Sequence, residues 1–526
     1  MLLDADENAN PRGDVKAAAS QDYSADDDAG ETIPLRRQII DMVLGRRPSG
    51  RLDAFLSAKD PAKALGIWFG RDIAHLRDGA ALMGAIDRDL AFFDDLLTDQ
   101  LNAVLHHKRF LQIEASWRGL QYLCKSAFTA SKVVVKVLNV SWDEIARDFQ
   151  RAVDFDQSFL FRRVYNDEFG MPGGKPYGVL LCDFEIRHRL SEDHQIDDVA
   201  VLNGLASVAA AAFAPAVLSA SPALIGLQSF TELDRQPNLR GLFREPEYIR
   251  YERLRALDEA RFVGVVLPRV LMREPRVGET VPGLPFRYRE DARGLAMDEL
   301  CWGSAVYAFG EVLIRAFDLY GWFADICGTR RDAIDCGLVT GVAAPPTETD
   351  APGIINRFGC EVAIPGHIEQ DLWQLGLMNL NVCKDTSYLA FHSGLSIQSV
   401  RQQGSNVAQM NARLSSMLRY ILCVSRFAQH VKVQVRDRIG SYVTADACER
   451  DLQSWILGYC LGNDDAPPDM KARFPLREAR IEVREVPGRP GSFACVMHLR
   501  PHFHLDRVFT TFKLVTDIAF ANPRVA

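Results

Sequence analysis

The chain has 526 residues and a mass of 58.8 kDa, with 48% hydrophobic and 25% charged residues. That length and apolar content allow a large core without staples, and exclude a disordered chain, a collagen-like fibre and a disulfide-dense mini-protein. The net charge of −8 sits almost wholly in residues 1–31, with nine acids and two bases; the rest carries 60 acids and 59 bases, with no global basic footprint for nucleic acid.

In chain order, residues 1–31 are acidic and poor in apolar residues, which predicts a disordered tail. The opening MLLDADENANPRGD lacks the basic and apolar regions of a secretory signal. Pro34 then begins a short amphipathic helix with Leu35, Ile39, Met42 and Val43 on one face, ended by the Gly45–Gly50 loop. Such a helix either docks on its own core or offers its apolar face to another protein. Residues 52–125 read as helical; in 80–107, Leu82, Ile86, Leu90, Phe93, Leu97, Leu101 and Leu105 recur near a 3.6 period. Glu114 and Arg118 are spaced to pair on the next helix. Residues 132–139 read as a strand, and Ser141 with Glu144 forms a capping box opening a helix.

Residues 178–183 and 261–267 are further apolar strands, so the middle region is α/β. Residues 199–227 are long enough for a membrane span. They are rich in Ala and Ser, broken by Pro215 and Pro222 and preceded by Asp197 and Asp198, which predicts a buried helix plus loop. Residues 273–296 and 341–353 read as loops, 299–328 as an apolar helix region. Residues 405–438 read as a long helix with Leu414, Met417, Leu418, Ile421, Leu422 and Ser425 inward. Residues 479–486, 493–499 and 508–515 alternate as a three-strand meander. The expected organisation is a tail (1–31), an amphipathic helix and linker (32–58), a helical plus α/β region (59–298) and a C-terminal core with terminal strands (299–526). The fold class is mixed α/β (α+β): a helical N-terminal region, an α/β middle, then a long helix and antiparallel meander.

Few motifs point to chemistry. The eleven cysteines form no C-x-x-C pair and signal neither disulfides nor zinc, so they read as core residues of a reducing compartment. The loop from Gly170 to Gly178 looks like a phosphate loop, but Pro176 follows Lys175 and the first Gly is out of register. His498, His502 and His504 lack an acidic or Cys partner that would complete a metal set. No G-x-S-x-G, H-E-x-x-H or G-x-G-x-x-G occurs. These features predict no catalytic residue, cofactor or metal.

One longer pattern is specific. LNAVLHHKRFLQIEASWRGLQYL at 101–123 resembles the large subunit of the type VI secretion contractile sheath, the TssC/VipB family. MPGGKPYGVLLCDFEI, LASVAAAAFAPAVLSASPALIG, RFVGVVLPRVLMR, CWGSAVYAF, CKDTSYLAFHSG, RLSSMLRYILCVSRFAQHVKVQVRDRIGS and LRPHFHLDRV resemble that family in the same order. The resemblance implies a cytoplasmic structural protein, not an enzyme. Its implied partners are a small sheath subunit (TssB/VipA-like), further copies of itself, an inner tube protein (Hcp-like), baseplate components and a AAA+ disassembly ATPase (ClpV-like). It implies no nucleic acid and no membrane insertion. Leu35, Ile39, Met42 and Val43 become the expected ATPase-recognition residues. Ile481, Val483, Cys495, Met497, Val508 and Phe512 become the expected inter-subunit strand residues, since strand edges pair through backbone hydrogen bonds. Two other readings stay open: a divergent sheath-like paralogue that regulates or caps assembly, and a nucleotide-binding enzyme using the Gly170 to Gly178 loop.

Overall fold

The computed structural model describes residues 51–518 except 71–77, 172, 236–238, 277–278, 281–285, 289, 291–298, 331–332, 346–357, 385, 401–411, 438–443, 464, 486–492 and 503–511. Two compact units divide at Leu97.

In the first unit, helices α1 (Arg51–Leu56) and α2 (Pro61–Phe69) gather around Trp68. Asp60 caps α2 by accepting from the Ala62 amide at 3.1 Å, with Pro61 preset for the first turn. The Trp68 ring lies 5.2 Å from Phe55 and 5.7 Å from Phe93, and its indole N–H donates to Asp89 at 2.9 Å. Helix α3 (Gly79–Leu105) carries the chain across the division.

The second unit is built on a six-stranded sheet. Its strands are β1 (Leu180–Ile186), β2 (Ala216–Ala220), β3 (Val263–Leu267), β4 (Leu338–Val339), β5 (Met378–Val382) and β6 (Leu389–Phe391), in spatial order β1-β2-β3-β5-β6-β4. The first four in that order run parallel; β6 pairs antiparallel with β5 and β4. Strands β2 and β3 are buried throughout and read as unbroken apolar runs, as parallel strands covered on both faces do. The sheet takes strands from both sides of the boundary expected at 298/299.

Around it lie α4 (Lys108–Thr129), α5 (Trp142–Arg151), α6 (Asp198–Ala212) and α7 (Ala305–Tyr320). Helix α4 buries Leu111, Ala115, Gly119 and Leu123 at four-residue steps. A Cβ at Gly119 would stand 2.3 Å from the Tyr307 ring, and one at Gly310 2.6 Å from Leu181, so small residues let α4, α7 and β1 approach closely. The Ser141–Glu144 capping box opens α5 as its local sequence dictates. Residues 199–227 form the expected buried helix, α6, but β2 and a 3-10 turn (Pro222–Ile225) follow in place of a loop. Among the described residues no helix is long and apolar enough to cross a membrane.

A second correction concerns residues 132–139. They run in no hydrogen-bonded strand, and among the described residues nothing pairs with their backbone. Val-rich sequence favours extended structure, but a strand also needs a neighbour.

The chain ends in α8 (Leu418–Asp437), α9 (Ala445–Leu457) and the expected meander, β7 (Leu476–Glu485), β8 (Phe493–Pro501) and β9 (Phe512–Ile518). Leu414, Leu418, Ile421, Leu422 and Ser425 are buried as expected, but α8 starts only after Met417. All eleven cysteines are free, and Cys301, Cys336, Cys360, Cys423, Cys448 and Cys495 are buried.

Candidate partner-binding surfaces

Helix α3 exposes a line of apolar side chains. Met83, Leu90 and Leu97 stand 59%, 58% and 49% exposed at seven-residue intervals. A seven-residue repeat keeps one seam on one side of a slightly supercoiled helix, the geometry of a coiled-coil contact. Leu90 and Leu97 belong to this outer seam rather than to the more buried face of Ile86 and Phe93. Helix α4 likewise exposes Phe110, Ile113 and Trp117. Both seams were hidden in the sequence because only burial separates a 3.5 from a 3.6 repeat over a few turns. The expected Glu114–Arg118 pair forms at 3.5 Å, and Glu114 also takes the Arg273 guanidinium at 3.0 Å.

At the meander, Ile481 faces Met497 and Val483 faces Cys495 in register. All four side chains are buried on the chain's own core, so none is available as a side-chain contact. The outer edge of β7 is also occupied. Gln453 accepts from the Ile481 amide at 2.7 Å and donates to the Ala479 carbonyl at 3.0 Å, and Glu449 accepts from the Val483 amide at 2.8 Å. Two side chains four apart on α9 thus lie along the strand and substitute for a neighbouring strand. The meander's other edge is β9, which starts at Phe512 and pairs only with β8 among the described residues. Val508 lies outside the described residues, as do Leu35, Ile39, Met42 and Val43.

The two polar clusters closest to a ligand site have charged partners within the chain. In the Gly170 to Gly178 loop the Lys175 amide donates to the Glu168 carboxylate at 2.7 Å, and Arg436 donates to the Glu168 carbonyl at 2.9 Å. A carboxylate thus takes an amide that a phosphate would need. Asp325, Asp335 and Cys336 place three ligand-type atoms within 4.8 Å. The Arg330 guanidinium supplies the cation there, 2.5 Å from Asp325 and 2.7 Å from Asp335. His498 sits in β8 opposite Arg480, and His504 lies outside the described residues. The candidate partner-binding surfaces among the described residues are therefore apolar seams and strand edges.

Residues 87–398 match the tail sheath N-terminal domain of the VipB (EvpB) family, and residues 407–518 match the gpW/gp25-like tail sheath domain of the same family. The chain belongs to the type VI secretion sheath large-subunit family, TssC/VipB. This sheath-family chain is 34% identical over 440 residues to the type VI secretion system sheath protein TssC1 of Pseudomonas aeruginosa, covering 83% of this chain and 86% of that one. A solved sheath tail protein from Desulfitobacterium hafniense is a distant structural match, with 11% identity and a TM-score of 0.30. That match covers 64% of this sheath-family chain and 56% of the other. The family is one of structural sheath proteins.

Proposed function

We propose that this chain is the large subunit of a type VI secretion contractile sheath. In this reading it pairs with a small sheath subunit in the cytoplasm, and the pairs polymerise around an inner tube and contract to propel it. The observation that carries the proposal is the seam of Met83, Leu90 and Leu97 on α3. A lone chain gains nothing from exposing a continuous apolar line, whereas a partner helix that covers it gains roughly 25 cal/mol per Å² of buried apolar area. The 34% identity to a protein described as a type VI sheath component supports the same reading. The work is done by assembly rather than catalysis: interfaces shift as rigid bodies and the energy resides in the extended polymer. The meander joins inter-subunit sheets through the β9 edge, and Leu35, Ile39, Met42 and Val43 serve as the handle for a AAA+ disassembly ATPase. An Hcp-like tube protein and baseplate components complete the partner set.

The test is negative-stain microscopy after co-expression with the small sheath subunit. Hollow tubules that require both chains are expected. A soluble pair without tubules would favour a regulatory paralogue, and no association would refute the proposal.

A further inference from the structure

Residues 132–140 (KVVVKVLNV) form an extended segment whose placement rests on side chains alone. Val133 and Val135 turn inward onto a cluster of Leu123, Tyr307 and Ile314, and Val140 packs on the main core. Lys136 pairs with Glu168 and its ammonium lies 5.0 Å from the Tyr177 ring centroid. Residues 132 to 136 alternate, with Val134 73% exposed, and Val137 and Leu138 that follow are both exposed, at 65% and 48%. Among the described residues, no backbone N–H or C=O from 132 to 140 has a backbone partner. β-branched residues, strand alternation and a bare backbone together make an unused strand edge.

The central sheet carries the matching vacancy. Strand β1 is its edge, and Leu181 of β1 packs on the same Leu123–Tyr307–Ile314 cluster as Val133 and Val135. Yet no backbone hydrogen bond joins the segment to β1. The side chains from Leu180 to Glu185 are only half-buried, whereas those of β2 and β3 are buried throughout. In a sheet covered on both faces, a half-buried edge strand is what remains when the next strand is missing.

We infer that residues 132–140 are a docking edge for β-strand addition by the small sheath subunit, beside the open side of β1. This rests on the heterodimer proposed above and names one of its contacts. The bound strand pairs its backbone with this edge and sets apolar side chains over Val134 and Leu138. Acidic residues on it suit Lys132, because Lys136 is already paired with Glu168 and the segment contains no acid. A second copy of the same edge would bring more lysines and no acid. The first fifty residues, read from sequence, supply an acidic tail and a helix rather than a strand.

The test uses the full-length chain co-purified with the small sheath subunit, followed by amide hydrogen exchange over residues 131–141. Amides from Val133 to Leu138 are expected to exchange at least about 100-fold more slowly than in an unstructured chain. A pair that purifies while these amides exchange at unstructured rates overturns the inference and leaves the heterodimer standing. Failure of the chains to associate overturns both. Protection that appears without the small subunit and grows with concentration would assign the edge to a second copy, against the stated occupant. As a separate check, Val134→Pro removes an amide and should cut co-purification about 10-fold or more, while Val134→Thr keeps strand propensity and should retain it. Equal loss in both variants would indicate side-chain packing and overturn strand pairing.

Discussion

Two buried glutamates carry opposite pKa shifts because their partners differ. Burial would raise Glu290, but hydrogen bonds from Arg273 at 2.6 Å, the Arg276 amide at 2.8 Å and His106 at 2.9 Å outweigh it and hold the carboxyl at about 2. Burial dominates at Glu311: Arg315 at 2.7 Å offsets it only in part, one carboxylate oxygen has no hydrogen-bond partner among the described residues, and the carboxyl is pushed up to about 7. The stability consequences have opposite signs. Glu290 stabilises the fold above its ordinary value of 4.5, and that contribution is lost as pH falls towards 2. Glu311 is most favourable below 4.5 and costs stability as pH rises to 7. Glu290→Gln should therefore cost on the order of 3 kcal/mol at pH 7 and progressively less towards pH 2. Glu311→Gln should gain about 2–3 kcal/mol between pH 5 and pH 8 relative to the parent. Urea unfolding of each variant across pH checks both, and a pH-independent difference for either would remove its assignment. Gln429 is buried too, but uncharged. Its amide donates to the Tyr177, Ala212 and Phe213 carbonyls at 2.6, 3.1 and 2.8 Å, closing the end of α6 where Phe213 is left-handed. Gln429→Leu should leave buried carbonyls unpaired and cost about 1–3 kcal/mol, read as a lower urea midpoint.

At the scale of elements, the α3 seam separates folding from assembly. Leu90 and Leu97 are exposed, so replacing both with Asp should leave stability within about 1 kcal/mol. The same change places two charges on the proposed helix–helix contact and should abolish co-purification with the small subunit. Retained co-purification, or a collapse of the thermal melt, would remove α3 from the interface. What the sequence discloses here depends on range. The Ser141–Glu144 box was legible because a cap is settled within four residues, and β3 because a buried parallel strand is an unbroken apolar run. The meander was legible because its strands alternate. Residues 132–139 carried the same local signal without the neighbour that makes a strand, and a neighbour is a non-local fact. The edge cover by Glu449 and Gln453 was illegible too, since each reaches a backbone amide 34 or 28 residues away. Removing that cover with Gln453→Ala should free the Ile481 amide and the Ala479 carbonyl, so the variant should aggregate faster on mild heating in a light-scattering assay.

At the scale of the whole molecule, a contractile sheath has to be built and then dismantled, and the two tasks call for different parts of the chain. The surfaces proposed for assembly lie on α3, on residues 132–140 and on the β9 edge, all between residues 79 and 518. The amphipathic stretch with Leu35, Ile39, Met42 and Val43 follows an acidic tail and precedes every one of them. An unfoldase needs a segment it can engage without first breaking the contacts that hold the polymer together, and the stretch proposed as that handle reads from sequence as a short apolar-faced helix. Ile39→Asp with Val43→Asp sets two charges on the face proposed for recognition, which should cost a desolvated contact several-fold to many-fold in affinity. None of the residues proposed for assembly is changed. Tubules of normal appearance should therefore form from this variant and the small subunit. Contracted tubules incubated with the ATPase and ATP should lose turbidity within the assay for the parent chain and keep it for the variant. Loss at the parental rate would show that the ATPase grips the chain elsewhere, and failure to form tubules would show that this stretch belongs to the assembly contacts instead.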